Sequence, residues 1–349
     1  MKIAIDCRMY NSSGIGTYLQ GILPYLLGEQ KNNYLLLGNF NILSKYKAKN
    51  VEIQEVNIPI FSVKELFCFP CAKINSYDAF LTPNFNIPIG IKIPIYAFIH
   101  DVVFLDIKEL TSRIGYYIRK FYLNRAVKIA KKIFTVSEFS KKRISFHFKK
   151  AKDIIVAPCA IKNELINYFP QKVSISKEFI IFVGNIKPHK GLETLVKGWR
   201  YARKKGFDKQ LVIVGEKEGF KTKLSNEEFL KDQNIIFTGR ISDEELYNYM
   251  NEASMLVQPS IYEGFGLPPL EALYLGTTCL LSDIEVFKEL YAEFQNCYFF
   301  NKESPEDLAK KLLSLSPQKI EQKNFINNHF HFKKTTQIIL ENIVLKYCK

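Results

Sequence analysis

Short apolar runs alternate with longer runs of helical spacing along most of the chain. In the first half, each apolar run predicts a strand, and serine or glycine positions lead into several of the helices. The predicted strands are 2–6, 33–38, 77–83, 93–101 and the start of 133–144. The predicted helices are 12–27, 115–132 and the remainder of 133–144, which Ser137 would cap.

The same alternation begins again after residue 170. The predicted strands are 178–185, 210–216, 234–239, 254–260 and 277–283, and the predicted helices are 191–206 and 242–253. Two such series indicate an α/β protein with two parallel sheets, each covered by helices on both faces. A length of 349 residues also favours two domains. We predict domains of 1–170 and 171–325, followed by a C-terminal helix within 326–349.

Ligands of parallel sheets bind where the strands end. Gly14 and Gly16 follow the first strand, and Gly184 with nearby lysines follows the first strand of the second series. The stretch SIYEGFGLPPLEALYLG (260–276) places Glu263 and Glu271 around a Gly-Phe-Gly turn. Its prolines suit the first turn of a helix, whose N–H groups would face an anion. The alternative is a loop with two solvated acids.

Two nucleotide-binding motifs are missing from the sequence. The G-x-G after the first strand lacks the third glycine and the acid of a dinucleotide fingerprint, and no G-x-x-x-x-G-K-[ST] occurs. These absences argue against a hydride-transfer enzyme and against a P-loop nucleotidase.

Several segments together resemble glycosyltransferase family 4, formerly group 1, through nearly the whole chain. In order they are GIGTY, the His100-Asp101 pair, VSEFSK, FVGNIKPHKGLETL, VIVGE, FTGRISDEEL, PSIYEGFGLPPLEAL and SDIEVFKEL. Glu263 and Glu271 match the family's E-x7-E signature. The resemblance implies the GT-B fold, with two Rossmann-like domains facing across a cleft. It also implies that the C-terminal helix crosses back to the first domain.

The resemblance implies retaining transfer of a hexose from a nucleotide diphosphate sugar. The acceptor would be a glycan or a lipid-linked (polyprenyl-diphosphate) molecule in surface polysaccharide or lipopolysaccharide synthesis. Similarity to mannosyl- and rhamnosyltransferases makes mannose from GDP-mannose the first choice of donor. A UDP- or dTDP-sugar-dependent transferase (glucosyl, N-acetylhexosaminyl or rhamnosyl) and a nucleotide-sugar epimerase of the same fold stay open. The family has no accepted carboxylate nucleophile, so Glu263 is not assigned that role.

Roles are carried over from the family to matching residues. Lys190 would stabilise the leaving phosphate, Glu263 would bind donor-sugar hydroxyls, and His100 would hydrogen-bond the sugar from the other domain. Glu271 would accept hydrogen bonds from the ribose. The other predicted donor-binding residues are Gly14, Gly16, Ser137, Gly184, Asn185, Lys187, Gly239, Ile241, Gly264, Phe265, Gly266 and Leu267.

The expected phosphate site departs from the family in two positions. Asn185 stands where many members have arginine, and His189 stands where arginine or lysine is frequent. Lys187 would compensate if it faces the donor. The sequence has no D-x-D triplet, so we predict no metal and no cofactor besides the donor substrate, and cations must replace a metal.

The charge of the chain is uneven. Of the total of +14, residues 1–170 carry +12, from 24 lysines and arginines against 12 acids. Residues 119–152 alone hold 12 basic residues and one acid, interleaved with aromatics. Such a surface suits an anionic membrane face or nucleic acid, while a solvated helix face is the plain alternative. We favour the membrane and no nucleic acid, because nucleic-acid binding leaves E-x7-E unexplained.

The sequence also indicates where in the cell the protein is located. No apolar run reaches the roughly 18–20 residues that cross a bilayer, and the N-terminus lacks the pattern of a signal peptide. Seven cysteines do not suggest a disulfide framework, and the Cys68-Cys71 pair has no zinc partner at suitable spacing. We expect a cytoplasmic protein, peripherally bound to the inner face of the plasma membrane.

Overall fold

A computed structural model describes residues 1–151, 153–175, 177–216 and 232–344. The chain divides into two compact units, Met1–Lys162 with the segment that begins at Phe330, and Asn163–His329. The sequence placed these boundaries at 170/171 and 325/326. Lys152 of the predicted basic region and the last residues of the predicted C-terminal helix lie outside the described residues.

The first unit contains a seven-stranded sheet in the order β3-β2-β1-β4-β5-β6-β7. Its strands are β1 (Lys2–Asp6), β2 (Asn33–Gly38), β3 (Val51–Glu55), β4 (Ala79–Thr82), β5 (Ile95–Phe98), β6 (Lys132–Thr135) and β7 (Ile154–Val156). All neighbouring strands are parallel. The two strands at the sheet edges, β3 and β7, were not predicted.

Helices connect these strands. They are Ser13–Leu27, Phe40–Leu43, Val63–Phe67, Cys71–Ile74, Val103–Asp106, Arg113–Ile129, Glu138–His147 and the C-terminal Phe332–Val344, with 3-10 turns at Ser44–Tyr46 and Lys108–Leu110. The predicted cap is confirmed, since the Ser137 hydroxyl accepts a hydrogen bond from the Ser140 amide at 3.1 Å.

The second unit contains a six-stranded parallel sheet in the order β10-β9-β8-β11-β12-β13. Its strands are β8 (Phe179–Val183), β9 (Gln210–Val214), β10 (Ile235–Gly239), β11 (Met255–Gln258), β12 (Thr278–Ser282) and β13 (Cys297–Phe300). Its helices are Asn163–Ile166, Leu192–Arg203, Asp243–Glu252, Leu267–Tyr274, Glu285–Tyr291, Pro305–Ser314 and Lys323–His329, with a 3-10 turn at Pro188–Lys190. The strand β13 was not predicted.

The C-terminal helix packs on the first unit. The Phe332 ring occupies the space where Gly21 lacks a Cβ, so the two helices approach closely. The Thr335 hydroxyl donates to the Pro158 carbonyl at 2.8 Å, and the Lys132 ammonium donates to the Asn342 side-chain oxygen at 2.8 Å. The helix Phe332–Val344 is therefore part of the first unit.

Each unit has its own apolar core. In the second unit, Trp199 is buried among residues of β8, β9 and the helix Pro305–Ser314, and its indole N–H donates to the Lys209 carbonyl at 3.1 Å. In the first unit, Phe80 and Leu123 lie in two apolar clusters formed around the sheet. Within the described ranges, no helix has the length and apolar character needed to cross a bilayer.

Candidate functional site

The stretch 260–276 forms a tight turn and then a helix, as predicted. The helix Leu267–Tyr274 begins with the prolines in its first turn, directly after Gly266. Gly266 has a φ of +93°, and a Cβ there would lie 2.6 Å from the Phe287 ring. Glycine is therefore required, because a side chain would meet both the unfavourable dihedral and the ring. The Tyr291 hydroxyl donates to the Gly266 carbonyl and fixes the turn.

Lys190 and Glu263 form an ion pair beside this turn. The Lys190 ammonium lies 2.7 Å and 2.8 Å from the two carboxylate oxygens of Glu263. The side chains are 21% and 10% exposed, so the pair is largely desolvated but reachable from solvent. Charge-assisted bonds of this kind are stronger than neutral ones and fix both groups.

A chain of buried hydroxyl and amide groups is hydrogen-bonded to Glu263 and fixes its position. The Ser260 hydroxyl donates to Glu263 Oε1 at 2.7 Å and accepts from Gln258 Nε2 at 3.3 Å. The Ser282 hydroxyl donates to the Ser260 carbonyl. Gln258, Ser260 and Ser282 are fully buried at the ends of β11 and β12. The sequence analysis missed these residues, although their signal was visible as polar side chains that end two apolar strands.

Lys190 lies in the 3-10 turn Pro188–Lys190, which packs against residues 259–261 after β11. Gly191 has a φ of +69°, and a Cβ there would collide with the Pro259 carbonyl. The Ile261 amide donates to the His189 carbonyl at 2.8 Å. Because glycine permits this close approach, the segments after β8 and β11 bring together two residues that are 73 positions apart.

His189 lies beside the pair and is neutral at pH 7. Burial lowers its pKa to about 4, and the positive charge of Lys190 contributes to the shift. Its Nδ1 is buried and has no hydrogen-bond partner among the described residues. The positive charge of this region is therefore supplied by Lys190 and by Lys187, whose side chain is exposed.

The other predicted residues of the second unit lie in two places, the stretch 260–276 and the ends of β8 and β10. Glu271 lies in the helix after the turn and is buried, and its charge adds to the burial that raises the pKa of Tyr247. Gly184 follows β8 and Gly239 ends β10, with β9 between these strands, and the Gly215 amide just after β9 donates to the Gly239 carbonyl at 3.0 Å. The remaining members are Asn185 and Ile241, which are half-buried, Phe265, which is buried, Gly264 in the turn, and Leu267, which begins the helix.

Four predicted residues lie in the first unit. The missing Cβ of Gly16 faces the Met9 and Tyr10 carbonyls, whereas Gly14 faces open space. The Ser137 hydroxyl serves as the helix cap described above. His100 lies just after β5, and burial lowers its pKa to about 4. Its Nε2 is buried without a partner in the part of the chain that the structure describes.

The His100 ring is held firmly. It packs edge-on against Tyr18, with ring centroids 5.3 Å apart, and stacks on Phe98 at 5.9 Å. One ring nitrogen of His100 donates a hydrogen bond to the Pro83 carbonyl, and this bond opposes the lowering of the pKa. In the neutral ring, the other nitrogen is therefore a hydrogen-bond acceptor. The neutral imidazole thus has one nitrogen available for a donor group.

The first unit also contains a sealed ion cluster that the sequence analysis did not predict. Arg8 pairs with Asp6 at 2.6 Å and with Glu65 at 2.5 Å, and these side chains are 3%, 1% and 0% exposed. The Arg8 guanidinium also lies 4.5 Å from the centre of the Phe69 ring. Over residues 1–151, 153–175, 177–216 and 232–344, no group of three or more His, Cys, Asp or Glu side chains could hold a metal ion.

Comparison with known proteins points to the same family. Residues 167–332, which hold nearly all of the second unit, match the family model described as glycosyl transferases group 1. This match confirms the resemblance predicted from the sequence.

Among curated relatives, the chain is 31% identical over 177 residues to O-antigen chain mannosyltransferase RfbU of Salmonella typhimurium, covering 49% of the chain and 47% of the relative. It is 28% identical over 189 residues to the serotype-specific mannosyltransferase WbdA of Escherichia coli, covering 49% of the chain and 23% of the relative. The chain thus spans less than half the length of these two relatives.

Solved structures resemble the whole chain. A glycosyltransferase from Rickettsia africae superposes with a TM-score of 0.71 at 17% identity, covering 99% of both chains. Anabaena HepE in complex with UDP and glucose superposes with a TM-score of 0.68 at 16% identity, covering 98% of this chain and 99% of that one. The predicted GT-B fold class is confirmed.

Proposed function

We propose that the protein is a retaining glycosyltransferase that moves a hexose from a nucleotide diphosphate sugar to an acceptor. The observation that carries the proposal is the Lys190–Glu263 pair, a reachable cation fixed beside a Gly-Phe-Gly turn. The family match of residues 167–332 supports it. The pair, the turn and the ends of β8 and β11 all belong to the second unit, so this unit is the proposed donor-binding domain.

The residues of the pair suit the chemistry of donor cleavage. When the bond between the sugar and the diphosphate breaks, negative charge grows on the leaving phosphate. Lys190 would stabilise that charge, and one such fixed group is worth about 3 kcal/mol of barrier lowering. Backbone N–H groups of Phe265, Gly266 and Leu267 would add the effect of a helix N-terminus.

The carboxylates and the histidine have different proposed roles. Glu263 would hold Lys190 and bind hydroxyls of the donor sugar, and Glu271 would accept from the ribose. His100, neutral with one unpartnered nitrogen, suits a hydrogen bond from a sugar hydroxyl. None of these roles requires a covalent intermediate with the protein, so we assign no nucleophile.

Mannose from GDP-mannose is the first proposed donor. Two of the relatives above are named mannosyltransferases, which supports this choice. HepE, which resembles this chain in fold, is described in complex with UDP and glucose, and this keeps UDP-sugars as the second choice. A thermal-shift screen across GDP-, UDP-, ADP- and dTDP-sugars tests the proposal. We expect the nucleotide sugars of one base to raise the melting temperature of the protein. The absence of a shift with every one of these nucleotide sugars would contradict the proposed donor site.

We propose a glycan or polyprenyl-diphosphate-linked acceptor, as in synthesis of a surface polysaccharide or lipopolysaccharide. The name of the relative RfbU refers to O-antigen, and the excess charge of the first half suits an anionic membrane on the cytoplasmic side. Transfer should release free nucleoside diphosphate only when an acceptor is added. Interconversion of the donor without any acceptor would instead indicate an epimerase.

A further inference from the structure

Three segments of the first unit that are linked by hydrogen bonds expose large apolar side chains. Phe61, Val63, Phe67 and Ile89 are exposed around the helix Val63–Phe67, and Ile114, Tyr117, Ile118 and Phe121 are exposed on the helix Arg113–Ile129. These eight side chains, called the apolar platform below, are between 46% and 74% exposed. Exposed apolar surface of this kind marks an interaction site rather than ordinary solvent-facing surface.

Hydrogen bonds link the three segments that carry the platform. The Ile89 amide donates to the Leu66 carbonyl at 2.8 Å, which joins the first two segments. Arg125 donates to the Ile87 carbonyl and, at 3.4 Å, to the Pro88 carbonyl, which joins the third. The Phe61 and Phe85 rings lie 5.5 Å apart between centroids.

The exposed side chains of the long helix form one stripe. Ile114, Tyr117, Ile118 and Phe121 have the spacing of a single helical face, and Arg125 continues that face towards the second segment. Leu123, Ala126 and Val127 lie on the opposite face and are buried. The helix is therefore already packed on its inner side, and the stripe is a second apolar face.

The three segments of the platform are themselves strongly basic, whereas Asp106 and the exposed Glu109 precede the helix that carries the stripe. Residues 56–71, 85–94 and 113–129 contain seven lysines and arginines and a single acid, Glu65. Glu65 is fully buried and paired with Arg8, so its carboxylate does not face solvent on the platform. Lys64, Lys120 and Lys128 remain exposed among the aromatics. Aromatic side chains interleaved with cations match the interface of an anionic bilayer.

The sealed ion cluster supports the shape of the platform. Glu65 accepts from the Phe61 amide at 2.7 Å while its other oxygen pairs with Arg8. Phe61 has a φ of +59°, which is costly for a bulky residue and persists only when the surroundings fix it. The buried acid thus holds a strained turn that presents an aromatic ring to solvent.

We infer that the apolar platform inserts at the boundary between the headgroups and acyl chains of an anionic lipid bilayer and anchors the first unit there. The inference deepens the membrane part of the proposed function and rests on it only in the choice of a bilayer as partner. Vesicle binding needs no sugar donor. A protein that transfers sugar to a soluble acceptor but ignores vesicles therefore refutes the inference and leaves the transferase proposal intact.

The direct test places a reporter on the platform. In Phe67→Trp, vesicles of phosphatidylglycerol mixed with acyl-brominated phosphatidylcholine should quench the new tryptophan, because the ring reaches the acyl chains. The matched control is Phe169→Trp in the second unit, where the parent side chain is 83% exposed, and its added fluorescence should be unaffected. Equal quenching of both, or quenching of neither, overturns the inference.

A second variant measures affinity. Val63→Ser/Phe67→Ser should weaken partition into the same unbrominated vesicles by about tenfold or more, since each buried apolar side chain contributes substantially to insertion. Phe169→Ser should partition like the parent protein. Binding that high salt abolishes and that the double variant leaves unchanged would show charge attraction without insertion and overturn the inference. A dimer without lipid that the double variant disrupts would assign the surface to a second copy instead.

Discussion

The two units each place an ion cluster beyond the carboxyl ends of their strands, and the clusters differ in exposure. In the first unit, Arg8 joins Asp6 and Glu65 with side chains that are at most 3% exposed. In the second, Lys190 joins Glu263 with side chains that are 21% and 10% exposed. An anion can reach Lys190 but cannot reach Arg8.

This difference separates a structural cluster from a ligand site. The sealed cluster has two carboxylates for one guanidinium, and burial is the main reason that the pKa of Glu65 is raised. The sealed cluster fixes the turn at Phe61, and its guanidinium has almost no exposed surface that a ligand anion could contact. The accessible pair has one cation and one carboxylate, held by Ser260, so a diphosphate can compete for the ammonium. The positions of these residues in the sequence do not show which of the two clusters is accessible to a ligand.

The largest expected effect is on the stability of the sealed cluster. Arg8→Met leaves two carboxylates buried without a cation, and removal of one partner from a buried pair costs about 3–5 kcal/mol. Urea denaturation followed by circular dichroism measures the change in the free energy of unfolding. The control is Lys197→Met, which removes an exposed lysine paired with Glu193 at 2.7 Å and should leave stability almost unchanged. A loss below about 1 kcal/mol in Arg8→Met would mean that the cluster is not structural.

The next effect concerns the accessible pair. Lys190→Met should lower kcat for sugar transfer by about 10²–10³-fold, because the leaving phosphate loses a fixed cation. The same variant should lose less stability than Arg8→Met, since Glu263 keeps the Ser260 hydrogen bond. Steady-state kinetics with the donor identified by the thermal-shift screen gives the value. Retention of full activity in Lys190→Met would remove Lys190 from the site.

A smaller effect is expected at the residue that positions Glu263. Ser260→Ala removes the hydroxyl that donates to Oε1, and a lost hydrogen bond to a charged group is worth about 1.5–3 kcal/mol. We expect kcat to fall by about tenfold or more, with Ser260→Thr recovering part of the loss because it keeps the hydroxyl. A merely structural role would instead lower stability in both variants and leave kcat of the folded protein unchanged.

The smallest effect is on pH dependence. Burial lowers the pKa of His189 and of His100 to about 4 from the ordinary 6.5, so the folded state favours the neutral imidazoles. This stabilisation is complete above pH 6.5 and is lost as the pH falls towards 4. His189→Gln should therefore flatten part of the fall in melting temperature between these pH values. An unchanged profile would mean that His189 titrates normally in the folded protein.

The sequence predicted the elements whose signals are local. Apolar runs identified β1, β2 and β8, and the Pro268-Pro269 pair located a helix start, because these signals lie within a few residues. The strands β3 and β7 were missed, since Val51–Glu55 is half-exposed at a sheet edge and Ile154–Val156 has only three residues. Short edge strands carry little apolar pattern.

The contacts within the site depend on long-range folding. The family resemblance indicated Glu263 through E-x7-E and Lys190 through FVGNIKPHKGLETL. Their bond joins residues 73 positions apart, and no spacing rule gives it. The Arg8–Glu65 pair spans 57 positions and was missed for the same reason. The apolar platform was hidden because a sequence pattern treats Phe67 and Phe121 as core residues, and only the fold shows that they are exposed.

The central claim is that Lys190 is the diphosphate-binding cation of the second unit. Isothermal titration calorimetry of GDP, UDP, ADP and dTDP against the parent protein, Lys190→Met and Lys197→Met tests it directly. We expect that at least one nucleoside diphosphate binds, that Lys190→Met weakens this binding by about tenfold or more, and that Lys197→Met does not. Equal affinity in Lys190→Met and the parent protein would contradict it.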